Sequence, residues 1–88
     1  MPTSYKFLIT KRAKQDLDKL PVTIRKRIRD KLQFFIANDE PLHFAEKLKE
    51  RKEGDYRFRI GAYRIVVIVE EKIIYIVRVQ HRREVYRK

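Results

Sequence analysis

The 88 residues leave room for one domain, 1–88, with one modest core; a chain of this size buries about 60% of the surface it exposes when unfolded. Lys and Arg number 23 against 12 acidic residues, and the net charge of +11 points to a polyanionic partner such as RNA, DNA, an acidic protein or an anionic membrane surface. Absence of cysteine removes disulfides, thiolate chemistry and Cys-ligated zinc, and the longest apolar run, Ile65 to Val69, is far short of the roughly 20 residues of a membrane helix, so a cytoplasmic, non-membrane protein is expected.

Tyr5 to Ile9 reads as a short strand, and Thr10 after it has the hydroxyl of a helix N-cap. Ala13, Leu17 and Leu20 then recur at i, i+4 and i+7, one face of a first helix that Pro21 ends. Beyond the proline, Ile24, Ile28, Leu32, Phe35 and Ile36 repeat at helical spacing while Arg25, Lys26, Arg27, Arg29 and Lys31 take the other face, predicting a second, basic helix ending near Asn38. Asn38 to Pro41 is turn chemistry, and Leu42 to Gly54 has no period, so a loop anchored by Leu48 is expected. Three strands follow at Tyr56–Ile60, Tyr63–Val69 and Ile73–Val79. Gly61-Ala62 fits a two-residue type II′ turn, whereas Glu70-Glu71 lacks the glycine and predicts a longer connection. The elements give an α+β domain, with two N-terminal helices packed on one face of a small antiparallel four-stranded sheet.

If the Gly61-Ala62 turn holds, Arg59 opposes Arg64, and period-two alternation puts Arg57, Arg59 and Arg64 on one face with Tyr56, Phe58 and Ile60 on the other. Like charges directly opposite are unfavourable, so an anion is expected there. Either carboxylates such as Glu53, Asp55 or Glu84 pair with these arginines, or a phosphate does. The tail His81-Arg82-Arg83-Glu84-Val85-Tyr86 adds a group that titrates near neutrality, fixed positive charges and a phenol, a set able to bind an RNA phosphate and move its protons without a metal.

The run from Gly54 to Val66 and the tail from His81 to Tyr86 together resemble the RelE family of toxin–antitoxin toxins, and the order of strand, helix pair and three strands is similar to the RelE/ParE fold. The resemblance implies a ribosome-dependent endoribonuclease that cuts mRNA in the A site and inhibits translation. It also implies metal-free attack of the 2′-hydroxyl on the adjacent phosphate, and a cognate RelB-like antitoxin that neutralises the toxin. By position, Arg64 matches the family arginine that stabilises the phosphate, Arg82 the arginine after the last strand, and Tyr86 the terminal tyrosine. Arg57 and Arg59 stand where well-known members carry lysines. Guanidinium stays charged at any ordinary pH, so these two are expected to clamp phosphate rather than accept a proton. His81 then becomes the first candidate for general base.

Lys47, Lys49, Arg51 and Lys52 form a charge run, either a solvated face or a track for the RNA backbone, with Lys52 a reserve base. His43 and His81 are the only histidines, and no carboxylates recur at metal-ligand spacing, so neither metal nor cofactor is expected. Two other functions share the same fold and charge. One is a ParE-like protein that binds DNA gyrase without chemistry of its own; the other is a non-catalytic RNA-binding domain. An antitoxin segment is expected to find a groove at Val66, Ile68, Val77 and Val79.

Overall fold

A short strand, β1 (Lys6–Ile9), opens the chain and leads into two helices, α1 (Lys11–Asp18) and α2 (Val22–Ile36), in a computed structural model that describes residues 5–49 and 54–83. One 3-10 turn (Pro41–Phe44) then runs into β2 (Ala45–Lys47), and the chain ends its described part in β3 (Tyr56–Ile60), β4 (Tyr63–Glu70) and β5 (Ile73–His81). Thr10 caps α1 as expected: its hydroxyl accepts from the Ala13 N–H at 3.3 Å and donates to the Ile76 carbonyl at 2.7 Å, tying the helix start to the sheet.

The α+β class and the helices on one sheet face hold, but the sheet differs from the expected four antiparallel strands. It has five, in the order β1-β5-β4-β3-β2, and it is mixed, because β1 runs parallel to β5. Two helices and three strands separate β1 from β5 in the chain, the kind of long connection that a parallel pair requires. The extra strand, β2, lies inside the segment read as a loop and pairs antiparallel with β3. Three residues are too few to show alternation in sequence.

The β3–β4 register is the one the Gly61-Ala62 turn dictates, with Ile60 opposite Tyr63 and Arg59 opposite Arg64, and Gly61 has the positive φ of +60° that this turn demands. The next connection is shorter than expected. Glu70 pairs with Ile73, so Glu71-Lys72 alone turn the chain, and Glu71 takes φ +55°, a conformation that costs a non-glycine residue about 1 kcal/mol.

Phe58, Ile60, Ile65, Val67, Ile74, Ile76 and Val79 form the buried sheet face, covered by Ala13, Ile28, Leu32 and Phe35 from the helices. A bulge in β5 lets this happen. Val66 pairs with Arg78 but Val67 with Ile76, so Val77 is extra and Val79 joins Ile74 and Ile76 in the core. The expected groove of Val66, Ile68, Val77 and Val79 therefore does not form, since Val79 belongs to the helix-covered core.

Among the described residues no strand lies beside the outer edge of β5 beyond Ile76, and Asp16 of α1 takes that place. Its Oδ2 accepts from the Val79 N–H at 2.9 Å and from Arg78 Nε at 2.8 Å. Burial pushes this carboxyl up, but the hydrogen bonds of Arg78 and Val79 and the charges of Arg78 and Arg12 outweigh it, and the pKa is held below the ordinary aspartate value. The ionised form is thus the one folding favours. Its contribution is complete above the unfolded carboxyl's pKa of about 3.9 and is lost as pH falls through the lower folded value. Asp16→Ala should lower the unfolding free energy by about 2 kcal/mol at pH 7 and flatten its fall below pH 4, as read by urea unfolding across pH. An unchanged acid limb would refute the assignment.

Candidate nucleic-acid interface

On the sheet face away from the helices, β3 and β4 carry a row of guanidiniums of graded exposure. Arg64 is buried at 7%; the Arg57 and Arg59 side chains are 15% and 53% exposed. Alternation from the observed register puts all three on the same face, with Arg59 directly across the ladder from Arg64.

Among the described residues, Glu46, an acid the sequence reading did not single out, lies beside Arg57 and Arg59. Edge strand β2 sets Glu46 opposite Arg57, and Glu46 Oε1 lies 2.6 Å from Arg57 Nη2, 3.2 Å from Arg57 Nε and 3.2 Å from Arg59 Nε. One edge side chain thus reaches its direct neighbour and the diagonal one. The Arg57 hydrogen bond first, then the Arg57 charge and the smaller Arg59 contribution, hold the Glu46 carboxyl below its ordinary pKa. Asp55, by contrast, accepts the Val69 N–H at 3.0 Å through Oδ2, while Glu53 and Glu84 lie outside the described residues. No sequence signal marks Glu46, because its role depends on a three-residue strand visible only once β2 and β3 pair.

The tail approaches the same end of the sheet. β5 continues through Gln80, which pairs with Arg64, to His81, which pairs with Tyr63; the Arg82 N–H then donates to the Ala62 carbonyl at 2.7 Å, at the β3–β4 turn. Arg82 and Arg83 are exposed there. His81 is on the Tyr63 side of the ladder, its ring edge-on to Tyr63 with centroids 5.1 Å apart. His81 Nδ1 accepts the Arg83 N–H at 3.0 Å, which assigns the proton of neutral imidazole to Nε2. By alternation His81 thus shares the sheet face of Tyr63, whereas Gln80 shares that of Arg64. Lys49 is exposed just beyond β2. Lys52 and Tyr86 lie outside the described residues.

Among the described residues, no three His, Cys, Asp or Glu side chains gather into a metal site, and no helix is long and apolar enough to cross a membrane.

Comparison with known proteins converges on one superfamily. A family model described as the ParE toxin of type II toxin–antitoxin systems, parDE, matches residues 7–86. Toxin RelG of Mycobacterium tuberculosis is 31% identical over 90 residues, covering 100% of both chains. Two solved structures share the fold. The toxin–antitoxin complex RelBE2 from Mycobacterium tuberculosis aligns with a TM-score of 0.73 at 30% identity, covering 90% of this chain and 99% of that one. The archaeal RelE–RelB complex from Pyrococcus horikoshii OT3 aligns with a TM-score of 0.70 at 28% identity, covering 90% and 96%.

Proposed function

Because the chain belongs to the RelE/ParE superfamily, as the toxin component of a toxin–antitoxin system, we propose that it is a ribosome-dependent endoribonuclease that cuts mRNA in the A site. The observation that carries this reading is the arginine face: Arg57, Arg59 and Arg64 lie in one register, with Arg82 at the same sheet end. A protein that only binds gyrase has no need of such a phosphate cradle.

In this reading the 2′-hydroxyl oxygen attacks the adjacent phosphorus, the bond to the 5′-oxygen breaks, and a 2′,3′-cyclic phosphate and a 5′-hydroxyl result. Arg64, with Arg59 across the ladder and Arg82 from the tail, neutralises the charge that builds on the non-bridging oxygens. The 2′-hydroxyl proton leaves to water, and Tyr86 positions the nucleotide and hands a proton to the departing 5′-oxygen, its phenolate regaining one from solvent. Glu46 keeps Arg57 and Arg59 extended side by side despite their mutual repulsion. No metal enters the scheme; the donor set around the arginines is cationic and would repel one. Arg83, Lys49 and Lys52 serve as further contacts to the RNA backbone.

The partner in this reading is a cognate RelB-like antitoxin, since both solved relatives are complexes of this kind. Its segment would lie along β1, the last strand of the sheet, and in the adjoining groove of about 590 Å³ lined by Ile9, Leu17 and Val22.

The ParE description of the matching family model favours a second reading, inhibition of DNA gyrase. Purified ribosomes, a defined mRNA and the protein separate the two. The nuclease reading expects scission at the A-site codon, with cyclic phosphate ends, and none when the attacking hydroxyl is replaced by hydrogen. Intact mRNA together with inhibited gyrase supercoiling would reject it, and RNA binding with neither effect would leave a non-catalytic RNA-binding domain.

A further inference from the structure

The arginine row does not end at β3. Phe44 lines an open depression of about 290 Å³ together with Glu46, Arg57 and Arg59. Around the edge of the sheet, Phe34 of α2 lines a second depression of about 490 Å³ with Lys26, Arg27 and Lys31. The two rings are neighbours, with centroids 5.8 Å apart and planes tilted by 58°, so they form the shared wall between the two depressions. Both are exposed, Phe34 at 54% and Phe44 at 43%, although most large apolar side chains of this chain are covered.

Neither ring is loosely held. Phe44 stacks on Phe35 at 4.9 Å, and Phe35 stacks on Phe58 at 5.0 Å, giving a column of rings that rises from Phe58 in the core to Phe44 at the surface. Lys31 Nζ stands 5.3 Å from the Phe34 ring centre. Rings with cations on both sides suit a strand that alternates flat apolar bases with phosphates. An apolar protein segment would have to desolvate those same cations without pairing them.

We infer that Phe44 and Phe34 form a base-stacking platform for single-stranded RNA, carrying the strand from the Arg57–Arg59 depression round the β2 edge onto the basic face of α2. The inference rests on the nuclease reading for the identity of the strand as substrate, but binding alone tests it. The probe is a fluorescent ten-nucleotide RNA with 2′-O-methyl groups throughout, which cannot be cut, compared with an abasic strand of equal length and charge. Phe44→Ala and Phe34→Ala should each weaken binding of the RNA about tenfold, leave the abasic strand unchanged, and be restored by Phe→Tyr. Thermal melts identify any variant that fails to fold; the exposed Phe34 supplies the test if Phe44→Ala does.

Equal losses on both probes, or no loss on RNA, would overturn the platform. So would a result in which the substitutions weaken only an antitoxin complex. Stacking that survives in a protein that cuts no mRNA would reject the nuclease reading and leave the platform standing.

Discussion

Arg64→Ala should slow mRNA cleavage on the ribosome by about 100- to 1,000-fold, the loss expected when one fixed donor to a developing oxyanion is removed. The side chain comes from the middle of the sheet, with β3 and β5 on either side of β4, and only 7% of the residue is exposed. A guanidinium so enclosed has few rotamers to lose on binding phosphate, and its charge is poorly screened by water. Arg64→Lys keeps the charge but not the two-pronged donor, so it should recover only part of the rate. Because alanine at a buried position also leaves a void, the rate is to be measured at saturating protein with the folded fraction checked by thermal melting. A well-folded Arg64→Ala protein that cleaves within threefold of the parent would remove this residue from the chemistry.

Gly54→Ala should destabilise the fold by about 3 kcal/mol. Gly54 has φ +154°, and a Cβ there would lie 2.7 Å from Val66 Cγ1 and 2.9 Å from the Val67 carbonyl oxygen. That carbonyl accepts the Asp55 N–H at 2.8 Å, and Asp55 in turn accepts the Val69 N–H. The clash therefore falls on the contact that seats the start of β3 against β4. Since β3 carries Arg57 and Arg59, the same substitution should lower RNA affinity in the fraction that still folds. Adding Val66→Ala removes the side-chain half of the clash and should restore part of the stability, while the carbonyl contact remains. Urea unfolding of the three proteins measures this, and a loss under 0.5 kcal/mol for Gly54→Ala would show that the backbone yields easily.

The parts of this protein legible in its sequence are those governed by local chemistry. Thr10 announced α1, Pro21 separated the helices, and Gly61-Ala62 fixed a hairpin register from which the shared face of Arg57, Arg59 and Arg64 followed. What escaped depends on contacts between distant segments. The parallel seat of β1, the three-residue β2 and the Asp16–Arg78 pair, 62 positions apart, have no local signature. The Val77 bulge reverses the alternation that strict period-two spacing implies and puts Val79 into the core. Glu71 turns the chain without glycine because the flanking β4 and β5 ladder over-determines it.

The site shows the same division. Its arginines follow from alternation, but the carboxylate that steadies two of them comes from the strand no pattern revealed. The Arg83 N–H donates to His81 Nδ1, and residue spacing says nothing about which ring nitrogen holds the proton. The resemblance carried by the Gly54–Val66 run and the tail reached the superfamily, and the fold comparison agrees with it.

Direct observation of the bound phosphate is the decisive measurement. A structure of the protein on a ribosome, with an mRNA whose attacking 2′-hydroxyl is replaced by hydrogen, should show one phosphate group within hydrogen-bonding distance of both Arg64 and Arg82. If those two guanidiniums contact different phosphates, or the mRNA lies on another face of the sheet, the shared cradle does not exist.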